Sequence, residues 1–112
     1  MTPRAQVLLW LAQRVSAGIL AVCVVVHLVT IIYAVRNGLS GAEILARTQG
    51  NYAWLAFYLL FVAAVAVHAP IGLRNIVSEM TPWRGSSLDI LMGVTGALLA
   101  LWGARAVFAV FL

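Results

Sequence analysis

The sequence predicts an all-α integral membrane protein, with three transmembrane helices in an up-down-up bundle. Two observations carry that expectation. Of the 112 residues, 64% are hydrophobic and 9% are charged, about twice the apolar bias, relative to charge, of a soluble domain. A soluble fold this short has too little interior to hide those side chains. The apolar residues also fall into three stretches, each long enough for a helix to cross a bilayer, which takes ~20 residues.

The first stretch covers residues 15–35 and carries no formal charge between Arg14 and Arg36. A short amphipathic lead, residues 4–13, either extends this helix or lies on the membrane surface. The second stretch covers 52–73 and ends at Arg74. The third covers 88–112 and is interrupted by Arg105. The expected helices are residues 7–35, 52–74 and 88–112, within a single domain of residues 1–112. The segments between them carry turn signals: Asn37-Gly38 and Ser40-Gly41 in one, Thr81-Pro82 and Arg84-Gly85-Ser86-Ser87 in the other. Ser86 or Ser87 is placed to cap the third helix, and capping is also the reading for Asp89. Glu43 and Arg47 are four apart and would form a surface pair if their loop is helical.

The net charge of +4 comes from arginine alone, since lysine is absent. The arginines are scattered, mostly at the ends of apolar runs, where they reach lipid headgroups; the high pI therefore points to membrane lipid and not to nucleic acid. Arg4, Arg14, Arg74 and Arg84 share the side of the N-terminus, against Arg36, Arg47 and Arg105 on the other. This bias places the N-terminus in the cytoplasm. The first stretch is too long for a signal peptide and lacks a small-residue cleavage site. Cys23 stands alone, which excludes an internal disulfide and a cysteine-rich metal site; it reads as a small packing residue.

Both histidines fall inside spans: His27 in VCVVVHLVTII and His68 in VAVHAPIGLRN. Ionisable groups within a span are costly and usually functional. Neither has a neighbouring carboxylate, so a protonated imidazole would lack a counter-charge. A neutral one can bind a metal through one ring nitrogen and donate its other N–H to an oxygen. The structural alternative is a hydrogen bond between helices. Zinc fits poorly, because two histidines are too few for a closed site. Haem iron needs one or two axial ligands in a dry apolar pocket.

Helical projection puts Ser16, Leu20 and Ile31 on the His27 face, with Cys23 close by. On the second span Phe61, Ala64, Gly72, Asn75 and Glu79 line up with His68. Gly72 would leave room for a porphyrin edge. Pro70 either aims His68 or is an ordinary kink. In antiparallel helices the two imidazoles differ in depth by roughly 10 Å at 1.5 Å per residue. They cannot bind one iron within one chain: either they serve two haems or one of them is a spectator, and in both cases a bis-histidine site needs a histidine from another polypeptide.

The run HAPIGLR, residues 68–74, followed by Glu79, resembles the second-helix signature of the cytochrome b membrane anchors of succinate dehydrogenase and fumarate reductase. That signature is His-x-x-x-Gly-Ile-Arg-His with an acidic residue a few positions on. QRVSAG, residues 13–18, resembles their first-helix start, His-Arg-x-Ser-Gly. The resemblance implies a multi-pass subunit of the bacterial inner membrane that carries electrons between an iron-sulfur subunit, haem b and quinone. His68 matches the axial haem ligand. Arg14 and Ser16 match residues of the quinone pocket, Arg74 an arginine near the haem propionates or that pocket, and Glu79 the acidic position. The partners implied are flavoprotein and iron-sulfur subunits and a second small transmembrane anchor. Gln13, Ala17 and Asn75 depart from the pattern, and Trp10 stands where some members have a quinone-binding serine. VVHLVTI resembles the first-helix segment of two-haem members, in which His27 would serve a second haem shared with a partner subunit. The metal ligands implied are thus His68 and His27, and the cofactor-binding set adds Arg14, Ser16, Gly72 and Arg74.

Two other classes fit the composition. One is a haem-free structural anchor that docks soluble partners. The other is a small proton- or ion-conducting subunit using the two histidines, although the acidic residues usual in proton paths are lacking. No hydrolytic or acid-base constellation is present in the chain.

Overall fold

The computed structural model describes residues 2–112 as four helices: α1 Pro3–Arg36, α2 Gly41–Thr48, α3 Tyr52–Met80 and α4 Ser86–Phe111. The three long ones are each long and apolar enough to cross a membrane. The lead at residues 4–13 is simply the start of α1. Thr2 caps it by accepting from the Ala5 N–H at 3.1 Å, and Pro3 occupies the first turn, where its missing N–H costs nothing. With 34 residues, α1 is about 51 Å long, well beyond the ~30 Å apolar layer.

The helix α2 was not expected as an element. Its start is legible in hindsight: Ser40 and Glu43 form a capping box, with the Ser40 hydroxyl accepting from Glu43 N and the Glu43 carboxylate accepting from Ser40 N. The expected Glu43–Arg47 pair does not form. Glu43 is taken up by Ser40, and the Arg47 guanidinium lies 5.1 Å over the Tyr33 ring of α1.

The helix α3 starts at Asn51, whose side chain accepts from Ala53 and Trp54 N–H groups. It runs six residues past the expected end at 74. Arginine and the polar residues after it do not stop a helix; Thr81, extended ahead of Pro82, does. The start of α4 also differs from expectation. Gly85, at φ 93°, occupies the cap position and no side chain caps the helix. The Ser87 hydroxyl instead accepts from Trp83 Nε1 at 2.6 Å, and Asp89 pairs with Arg74. At the other end of α4, two orphan carbonyls are satisfied from the α2 region: Val110 by the Thr48 hydroxyl at 2.8 Å and Phe111 by the Gly50 N–H at 2.9 Å.

The middle position belongs to α3, with α1 on one flank and α4 on the other. Small residues set the α3–α4 contact. A Cβ added at Gly103 would come within 2.6 Å of Val62, and one at Gly96 within 3.1 Å of the Ala66 carbonyl. That carbonyl is the one Pro70 cannot serve, since proline has no N–H to give it. The helix stays continuous through Pro70, which is buried beside Gly96. A close backbone approach thus covers a polar group the proline exposes. The outer faces of the helices remain apolar; Val22, Val25 and Val29 of α1 are all more than half exposed, as lipid-facing residues are.

Candidate functional site

Each histidine is tied to the neighbouring helix by its Nδ1. His68 on α3 has Nδ1 3.3 Å from the Ser16 hydroxyl of α1. His27 on α1 has Nδ1 3.3 Å from the Tyr58 hydroxyl of α3. The two pairs sit at opposite ends of one α1–α3 interface. Ser16 and His27 are eleven residues apart on α1, and Tyr58 and His68 ten on α3. At 1.5 Å per residue this is about 15 Å, half as much again as the roughly 10 Å expected. The longer separation strengthens the inference that no single iron could take both imidazoles of one chain.

Around His68 the chain builds a small polar island. Ser16 is 4% exposed and is the one buried polar residue among the described ones. Its hydroxyl also reaches the Gln13 carbonyl one turn back, at 3.1 Å. The Gln13 side chain lies against Gly72: an added Cβ there would meet Gln13 Nε2 at 3.5 Å. Gly72 therefore accommodates an α1 side chain, and the room expected there for a porphyrin edge is shared with it. The buried Gln13 Oε1 has no hydrogen-bond partner among the described residues.

At His27 the setting is aromatic and open. Its ring meets Tyr58 and Phe61 edge to face, each with centroids 5.8 Å away. Two clefts converge on it. One, of about 520 Å³, runs between α3 and α4 under α2 and is almost wholly apolar, lined by residues such as Phe61, Val65, Leu99 and Trp102. The other, of about 640 Å³, lies on the α2 side and includes Thr30, Tyr33, Arg47, Asn51 and Trp54. Both volumes fall in the usual range for small-molecule sites.

The remaining expected site residues are not gathered at either imidazole. Arg14 is exposed, with its guanidinium 5.3 Å over the Trp10 ring. It lies two residues from Ser16 and so on nearly the opposite side of α1. Arg74 is held by Asp89 of α4, Nε to carboxylate, at 3.0 Å. Tyr58, the partner of His27, was not singled out by the sequence, because nothing in one helix announces its register against another.

The residues present fit a haem ligand set. A metal-bound imidazole almost always gives its second ring N–H to an oxygen, and both imidazoles have an oxygen at Nδ1 with Nε2 left over. Among the described residues no three His, Cys, Asp or Glu side chains converge, so a metal held here would draw ligands from a prosthetic group or another chain.

A family model for the succinate dehydrogenase/fumarate reductase transmembrane subunit matches residues 1–88. The chain belongs to this family. The match spans α1 through the start of α4 and so includes Ser16, His27, Tyr58 and His68. It makes the chain a multi-pass membrane subunit of a succinate dehydrogenase or fumarate reductase complex. No curated protein and no solved structure matches the chain.

Proposed function

We propose that this subunit is the membrane anchor and cytochrome b of a succinate:quinone oxidoreductase in a bacterial cytoplasmic membrane. Its soluble partners are a flavoprotein, which oxidises succinate or reduces fumarate, and an iron-sulfur subunit. The observation that supports the reading most is the matched treatment of the two imidazoles. Each lies within a span, each has Nδ1 occupied by a hydroxyl from the adjacent helix, and each keeps Nε2 for a ligand.

Haem b held there would supply a one-electron carrier between the iron-sulfur subunit and quinone. The work of this chain is to hold and tune it. His68 offers Nε2 at the N-terminal side of the membrane and His27 at the far side. Their separation in depth supports the reading that they serve separate haems, each of which would be completed by a histidine of a second small transmembrane anchor. The apolar surroundings keep water out and lower the local dielectric. The clefts beside His27 offer room for a large flat group, and Arg47 at the edge of one is placed to draw an anionic substituent. On the near side, Arg14, Arg84 and the guanidinium nitrogens of Arg74 other than Nε supply positive charge for propionates or for a quinone taking up electrons.

The test is to purify the complex with all of its subunits and count haem by the pyridine haemochrome method. Two haems b per complex, with a low-spin Soret spectrum, are expected. A fully assembled complex that reduces quinone without any haem would overturn the reading in favour of a structural anchor.

A further inference from the structure

We infer that Ser16 is a positioning residue for the axial imidazole of His68, acting through a hydrogen-bond chain that ends on the Gln13 backbone carbonyl. The inference rests on the reading of His68 as a haem ligand and departs from the quinone-pocket role that family resemblance gives Ser16. A neutral imidazole has one ring proton. If Nε2 gives its lone pair to iron, the proton must sit on Nδ1, and Nδ1–H needs an acceptor. Among the described residues the Ser16 hydroxyl is that acceptor, at 3.3 Å.

A serine hydroxyl also has one proton, which must point elsewhere for its oxygen to accept. The Gln13 carbonyl oxygen, 3.1 Å away on the preceding turn, takes it. The chain is therefore His68 Nδ1–H to Ser16 Oγ, and Ser16 O–H to the Gln13 carbonyl. Each bond polarises the next, and burial of Ser16 keeps water from competing. Two consequences follow. The tautomer with a free Nε2 lone pair is favoured before any metal arrives. Withdrawal of the Nδ1 proton toward oxygen also makes the imidazole a stronger donor, which favours ferric over ferrous iron.

The geometry also accounts for a serine at this position. Alanine would leave Nδ1–H without a partner in an apolar interface, a costly arrangement. An acid would place a charge there. A hydroxyl that can back-bond to its own helix accepts without introducing charge.

The experiment is a redox titration of the Soret band in the purified complex, comparing wild type with Ser16→Ala, Ser16→Cys and Ser16→Thr. Loss of the acceptor in Ser16→Ala should raise the midpoint potential of the His68 haem by about 59 mV, a tenfold change in its one-electron equilibrium. Ser16→Cys, close in shape but a weak acceptor, should shift it the same way, and Ser16→Thr, which keeps the hydroxyl, should restore it. The potential of the His27 haem should not move. If Ser16→Ala or Ser16→Cys retains haem at an unchanged potential, the inference is wrong. A His68→Leu complex that keeps its full haem content would instead refute the reading beneath it, so the two failures are distinguishable.

Discussion

The two ends of the α1–α3 interface hold the same side chain in different company. At the His68 end the partner is a small aliphatic hydroxyl, buried, with its own proton directed to a backbone carbonyl on its own helix. At the His27 end the partner is a phenol flanked by aromatic rings and two clefts of about 520 and 640 Å³. One environment fixes the direction of a hydrogen bond. The other provides volume and leaves the Tyr58 proton without a second acceptor among the described residues. A histidine inside a membrane is thus not one kind of site, and what the imidazole can do is decided by the atom opposite Nδ1.

Several experiments sharpen or break this contrast. The largest effect is expected from His27→Leu. If the far-side imidazole is an axial ligand, the haemochrome count of the complex should fall by one haem, with the His68 haem spectrum intact. An unchanged count would leave His27 as a bond between helices and the near end as the one redox site of the chain.

Next in size is Tyr58→Phe, which removes the phenol at Nδ1 but keeps the ring packing. The midpoint potential of the His27 haem should shift while that of the His68 haem stays put. A shift in both would mean that the two ends are not independent, despite about 15 Å of helix between them.

A third test addresses the scaffold common to both ends. Gly103 touches Val62, whose branched side chain has little freedom to move aside. Gly103→Ala should therefore destabilise the α3–α4 contact by about 1–3 kcal/mol, as overpacking does, seen as a lower Tm of the detergent-solubilised complex. Gly18→Ala, with nothing within 4 Å of the new Cβ, serves as the control and should change nothing.

The smallest effect is expected at the Arg74–Asp89 pair. Its carboxylate is 44% exposed, and pairs of this kind contribute about 0–1 kcal/mol. A double-mutant cycle with Arg74→Gln and Asp89→Asn should give a coupling in that range that shrinks in salt. If Arg74→Gln slows quinone reduction while Asp89→Asn does not, Arg74 works on an anion, and the ion pair only parks it.

Much of this architecture is legible in the sequence, because lipid permits few solutions. Long apolar runs mark the three spans, with arginine at both ends of the first, at the far end of the second and inside the third, and the ends of α1 and α4 fall within a few residues of the expected ones. The end of α3 is misjudged because Arg74 reads as a membrane border, whereas a helix stops for backbone reasons, at Thr81 and Pro82. The short α2 hides among turn residues, although its capping box is written in Ser40 and Glu43. The two histidines stand out because no arginine or carboxylate lies between Arg14 and Arg36 or between Tyr52 and Leu73, the two apolar stretches that hold them. Their partners do not stand out. Ser16 projects onto the His27 face of its own helix, which correctly marks it as interior, yet its contact is His68. Tyr58 reads as one aromatic among several. Inter-helix register depends on small residues such as Gly96 and Gly103 meeting particular neighbours, and a single sequence does not display that.

The account turns on His68 being bound through Nε2 to an iron distinct from the one at His27. Low-temperature electron paramagnetic resonance of the oxidised complex addresses this directly, because each low-spin haem gives its own signal. In a His68→Leu complex with all subunits present, one low-spin signal should vanish and the other remain unaltered. Retention of every signal seen in the wild type would contradict the account.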